Sequence, residues 1–408
     1  MTESYKNSQC PPAIMQGAPP PDDMRPTRMG WDRPPWNRYT FQRVREFLPT
    51  APILRGKTVS SLATAHQDIG AITFASQGRQ KTIDQMIDDT YTDGLLVILD
   101  GKIIHESYHN GMTPRSVHLC QSVSKSITAT ACASLFADGL MDRSAPITDY
   151  LPELVNTGWN GATVQQILDM ASGTQYDETY ENPASDMGIT DFASGWKPVP
   201  PGVDGTDWPT TMWDQILSLK VREVEHGSHF NYRSIETDVL AHAMERVTGQ
   251  RLPQIISERL WAPLGTEEDA SITLDPAGYG LACGGISASL RDLARFGLAM
   301  LNDGQVEGRQ VIPRAWVDDV RGGQHGHFND YGREYFPNGH YRNQFWIEDN
   351  SKQAHLCLGV FGQTVYVSPE RGMVAVKLST WPEFTNTPHL LDSMSAFHAI
   401  ADAFGKKT

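Results

Sequence analysis

Two periods of apolar residues run along this chain, and they mark different elements. Residues 95–99 and 102–108 read as strands joined at Asp100-Gly101. Asp-Gly between apolar runs is a strong hairpin signal. A second pair, 364–367 and 373–378, flanks the turn Pro369-Glu370-Arg371-Gly372 near the C-terminus. Between these pairs the period lengthens. Val123, Ile127, Ala131 and Leu135 recur every four residues. That spacing predicts a helix over 122–138 with a buried stripe, stopped by Gly139. Further helical patterns cover 164–170, 212–219, 236–248, 253–264, 290–301 and 389–404. Residues 176–209 are rich in Gly, Pro, Asp and Trp and read as one long ordered loop, of the kind that walls a binding site.

The order sheet, helical stretch, sheet predicts an α+β fold, an antiparallel sheet flanked by helices with an inserted, mostly helical subdomain. The expected division is an extended Pro-rich segment over 1–38, a sheet subdomain from 39–135 and 270–408, and a helical subdomain over 136–269. The active site is expected between the two subdomains. The Pro-rich start, with Pro11, Pro12, Pro19, Pro20 and Pro21, is expected to lack regular structure before it packs on the body.

Composition narrows the partners. The 408 residues carry a net charge of −14, which argues against nucleic acid and anionic membrane surfaces. No run approaches the length of a membrane span, and the N-terminus lacks a secretory pattern. Five cysteines, at 10, 120, 132, 283 and 357, are an odd and scattered set. They fit reduced thiols and a cytoplasmic setting. The pairs His226/His229 and His325/His327 have no acidic or cysteine partner at ligand spacing, so neither a metal nor another cofactor is expected. The chain has no Gly-x-Ser-x-Gly elbow and no phosphate-binding glycine loop.

The chemistry starts at Ser122-Val123-Ser124-Lys125. On a helix, residues i and i+3 share a face, so the amine reaches the hydroxyl. The helix N-terminus behind Ser122 favours developing negative charge. A second match, Ser194-Gly195-Trp196-Lys197, runs into Pro198, Pro200 and Pro201, so no helix can hold it together. Lysine as a base has a requirement: its pKa must fall by about three units, roughly 4 kcal/mol of desolvation or neighbouring charge. A tyrosine would complete a proton relay, and Tyr232, just before the 236–248 helix, is one of thirteen candidates.

With Ser122, Lys125 and Tyr232, and with Gly284-Gly285-Ile286-Ser287 ahead of Asp292-Leu293-Ala294-Arg295-Phe296, the chain resembles the serine β-lactamase and penicillin-binding superfamily. It lies on the side of the class C β-lactamases and family VIII esterases, and within these it is most similar to the nylon-oligomer hydrolases. Residues 150–153 with Leu168-Asp169-Met170, 176–185, Thr237-Asp238-Val239-Leu240-Ala241 and Val376-Lys377-Leu378-Ser379 carry the similarity over nearly the whole chain.

The resemblance implies hydrolysis of a linear amide or short-chain ester through an acyl-enzyme on Ser122. Lys125 would be the base and Tyr232 the proton donor, with an oxyanion hole from the N–H groups of Ser122 and Val360. Tyr180 would hydrogen-bond at the scissile amide, and Asp191 would bind the substrate's amino end. Trp196 and Trp346 would lie near the same pocket, Cys283 would stand near the substrate in place of a polar residue, and Phe361, just past the oxyanion position, would be a substrate-binding residue lining that pocket as well. A homodimer is implied as well. Two departures stand out: Cys357-Leu358-Gly359 replaces the superfamily's Lys-Thr-Gly, and Ser234 stands where asparagine is common. Loss of that lysine argues against a β-lactamase or cell-wall peptidase. An esterase with little amidase activity is the closer alternative.

Overall fold

The computed structural model describes residues 13–405. The first twelve residues of the expected Pro-rich segment, and Cys10, lie outside the described residues.

The main sheet has eight strands: β1 (Ala63–Thr64), β2 (Thr92–Leu99), β3 (Lys102–Tyr108), β4 (His340–Arg342), β5 (Phe345–Asp349), β6 (Ala354–Gly359), β7 (Gln363–Ser368) and β8 (Met373–Ser379). Their spatial order is β4-β5-β6-β7-β8-β2-β3-β1. All pairs are antiparallel except β1 with β3. The hairpin at Asp100-Gly101 forms with both residues at positive φ, 48° and 74°. Such a turn matches the twist of its strands, and this is why Asp-Gly marked it.

Every residue of β2 is buried, because helices cover both faces of the sheet. Leu96 and Ile98 belong to one core with Leu293, Phe296 and Met300. Leu95, Val97 and Leu99 belong to another with Met394, Phe397 and Ile400. The period of two in the strand divides its side chains between these cores. A four-stranded antiparallel sheet, Thr50–Ile53, Ala270–Thr273, Ile286–Ser289 and Val117–Leu119 in that order, lies beside the site.

The helices that matter here are α1 (Val123–Ala137), α2 (Asp186–Ala193), α3 (Ile235–Thr248), α4 (Leu290–Leu301) and α5 (Thr387–Phe404). Gly297 lets α4 lie close on the sheet, since a Cβ there would meet Val374 Cγ1 at 2.6 Å. Two expectations change. The stretch 176–209 is not all loop: α2 forms inside it, capped by the Ser185 side chain accepting from Gly188 N–H. The 253–264 helix is Leu252–Ile256 followed by a π-helical turn at Ser257–Trp261. The segment from 13 to 38 is mostly irregular; it is largely exposed up to residue 30 and packs on the body from Trp31 and Asp32, which are buried. Among the described residues no helix is long and apolar enough to cross a membrane. No group of three or more His, Cys, Asp or Glu among them could hold a metal ion.

Candidate active site

Ser122 caps the N-terminus of α1, and the backbone presents it. Gln121 is held at φ 50°, a left-handed conformation at a non-glycine residue. Such conformations persist only where surrounding structure over-determines them. That structure is the end of an interior strand of the main sheet. Gly359, last in β6, lies so close that a Cβ there would meet Cys120 O at 2.6 Å. The glycine thereby brings Val360 against the serine, and both residues line the same openings.

Lys125, one turn along α1, is 1 % exposed. Its Nζ donates to Ser122 Oγ at 2.8 Å and to the Cys283 carbonyl at 2.7 Å. Cys283 therefore contributes a backbone oxygen that residue types could not reveal. Two residues on, Gly285 lets this segment lie close on its neighbouring strand, since a Cβ there would meet Thr273 Oγ1 at 2.4 Å. The Tyr232 ring lies beside the Ser122–Lys125 pair, with its centroid 5.2 Å from Lys125 Nζ. The ring stacks on Trp346, with centroids 5.6 Å apart and planes at 21°.

The protonation of the cluster departs from expectation. Burial pulls the Lys125 ammonium down, but the acidic groups around it, Tyr232, Cys283, Glu178 and Asp238, outweigh burial, and the net direction is up. Burial leads in pushing Tyr232 up, against the pull of the Lys125 charge. Burial also pushes up the Cys283 thiol and, to about 6, Asp238. The direction for Lys125 is thus opposite to the fall that the sequence argument required of a lysine base.

Glu178 went unnoticed in the sequence. Its Oε1 accepts from Tyr180 Oη at 2.9 Å and from Ser234 Oγ, and its Oε2 accepts from Ser234 N–H at 2.8 Å. Burial pushes its carboxyl up, opposed first by the Lys125 charge. Ser234, at the asparagine position, thus anchors a carboxylate. An acid two residues before Tyr180 was the available signal, but nothing local tied it to α1.

Two cavities meet at Ser122. The larger, about 350 Å³, is bordered by Tyr180, Tyr232, Trp346, Val360, Trp381 and Phe384. The smaller, about 30 Å³, is bordered by Lys125, Asp191, Trp196, Cys283 and Val360. Trp196 donates from Nε1 to Thr273 Oγ1 at 2.9 Å, so its indole is a fixed wall. Asp191 borders the small cavity, but its Oδ2 is 2.8 Å from Lys197 Nζ. Phe361 does not reach either cavity. It is fully buried at φ 62°, packed between Phe41 and Phe384 at 5.3 and 4.8 Å, and so backs the cavity wall. Ser194 and Lys197 form no catalytic pair: Ser194 Oγ donates to Asp191 O, and Lys197 turns to Asp191 and Asp32.

The chain's likeness to known proteins agrees with this geometry. The beta-lactamase family model matches residues 80–390. A 6-aminohexanoate-dimer hydrolase from Paenarthrobacter ureafaciens is 36% identical over 385 residues, 92% of this chain and 95% of that one. Esterase EstB from Burkholderia gladioli is 28% identical over 165 residues, 38% of each chain. A solved structure from Bacillus anthracis, assigned as a 6-aminohexanoate-dimer hydrolase, superposes with TM-score 0.82 at 28% identity, covering 92% of this chain and 96% of that one.

Proposed function

Because this chain belongs to the β-lactamase family, we propose that it is a serine hydrolase of linear amides and carboxylic esters, working through an acyl-enzyme on Ser122. One observation carries the reading: Lys125 Nζ sits 2.8 Å from Ser122 Oγ and 5.2 Å from the centre of the Tyr232 ring, at a helix N-terminus opening on a cavity. The absent Lys-Thr-Gly cation weighs against a substrate held by a carboxylate, as a β-lactam would be.

In the active fraction Lys125 is a free amine. It takes the Ser122 proton as Oγ bonds to the carbonyl carbon. The new oxyanion is held by the N–H groups of Ser122 and Val360. Tyr232 gives its proton to the leaving nitrogen or oxygen and recovers one from the Lys125 ammonium. The carbon–leaving-group bond breaks and the acyl group stays on Oγ. Water then attacks the ester, passes a proton to the same pair and frees the acid. Glu178 and Tyr180 shape the leaving-group side.

The test is the purified protein and its Ser122→Ala variant on the linear 6-aminohexanoate dimer and on a short-chain 4-nitrophenyl ester. Hydrolysis of either substrate should fall by at least about 10³-fold in the variant, with the circular dichroism spectrum unchanged. Equal rates in the two proteins would overturn the reading. Ester cleavage with an inert amide would keep the machinery and favour the esterase alternative.

A further inference from the structure

The Ser-x-x-Lys match that forms no catalytic pair has another task. Lys197 Nζ lies 2.6 Å from Asp32 Oδ2 and 2.8 Å from Asp191 Oδ2, and the lysine side chain is only 10% exposed. Its backbone N–H donates to Asp191 O at 2.9 Å. Asp32 arrives on the N-terminal segment, which is pinned over this wall. Trp31 Nε1 donates to Trp196 O at 3.2 Å, the two indoles meet edge to face at 5.2 Å, and Arg28 donates to Gly195 O.

Asp191 is the carboxylate among the residues bordering the small cavity. A cationic substrate chain needs such a counter-ion, but this one is already engaged by a fixed cation that would repel the newcomer. The space is short as well: about 30 Å³ is the share of one water molecule, not of a carbon chain. The larger cavity differs. Its border includes Phe336, Trp346, Leu358, Trp381, Phe384 and Leu390, and no lysine, arginine or histidine. Its one acid, Glu178, is tied to Tyr180 and Ser234.

We propose that Lys197, held by Asp32, is a specificity-determining residue. It occupies Asp191 and closes that side of the site to a chain ending in a cation. The enzyme is thereby biased toward neutral amides and esters whose apolar or aromatic groups fill the larger cavity. The inference rests on the serine-hydrolase reading above. Burial lowers the Lys197 ammonium, but Asp191 and Asp32 outweigh it and hold the group charged, in keeping with a permanent counter-ion.

Two matched probes test it, 4-nitrophenyl hexanoate and 4-nitrophenyl 6-aminohexanoate, which differ by a terminal ammonium. The wild-type protein should favour the hexanoate in kcat/KM by at least about tenfold. In the double variant Asp32→Asn/Lys197→Gln, which leaves Asp191 as a lone carboxylate, that ratio should fall by at least about tenfold. Lys197→Arg should retain the wild-type ratio, whereas a loss of packing would lower both rates together. Should the double variant fail to fold, Lys197→Met should move the ratio the same way. Equal wild-type use of the two esters, or a ratio unmoved by these neutral variants, overturns the proposal while Ser122-dependent turnover keeps the hydrolase reading standing. Absence of Ser122-dependent turnover of either ester takes down both.

Discussion

The two sides of Ser122 are built by opposite means. On one side, aromatic rings from the sheet and its following loops leave about 350 Å³ open. On the other, an ionic clamp and the Trp196 indole leave about 30 Å³. The open side selects by shape and apolar surface, which is permissive toward homologous groups. The closed side selects by charge, where a single unpaired or repelled ion is decisive. A scaffold whose reaction chemistry is confined to one helix turn and one tyrosine can therefore change substrates by altering either wall.

The comparison breaks most sharply at Tyr232, which serves both sides. Tyr232→Phe removes the proton relay and should lower kcat by about 10²–10⁴-fold. The loss should be larger for an amide than for a matched ester, because an amine leaves only when protonated. Equal losses for the two would show that leaving-group protonation is not its task. Trp346→Ala removes a wall of the open side and the ring on which Tyr232 stacks. It should cost about 3 kcal/mol in denaturant unfolding, as for a large-to-small core change, and raise KM for aromatic esters more than for acetate esters.

The pH profile reads the cluster between the walls. Lys125 is shifted up, so its free amine is scarce near neutrality and grows as pH rises toward its folded value. The acylation rate should climb by up to about tenfold per pH unit above pH 7. A flat profile there would show that the amine is already free. The smallest effect sharpens this one. Glu178 is among the charges that raise Lys125, so Glu178→Gln should move the ascending limb to lower pH. Because Tyr180 and Ser234 keep an oxygen acceptor, kcat at the plateau should change by only about threefold.

Wherever contacts are local, the sequence was legible. The Asp100-Gly101 hairpin, the α1 helix with its Gly139 stop and the Ser122–Lys125 pair depend on neighbours within a few residues. The Tyr176–Asp191 region was less legible. A Pro- and Gly-rich composition concealed α2, whose start is set by one Ser185 hydrogen bond. Phe361 was misplaced as a lining residue because a residue beside the oxyanion position in sequence can point into the core when its φ is positive.

What the sequence determined by itself was the pairing of Ser122 with Lys125 one helical turn on and the layered sheet-and-helix plan, because helix and strand periods are set by backbone geometry. Only the tertiary structure decided what surrounds that pair. Cys283 O, 158 positions away, accepts a hydrogen bond from Lys125; Gly359 draws Val360 to the serine; Asp32 reaches Lys197 from the far end of the chain. The upward direction of the Lys125 shift follows from acidic groups brought in by distant segments, Glu178 and Asp238 among them, which outweigh burial. Both are properties of the assembled interior, where a low dielectric makes each long-range neighbour count.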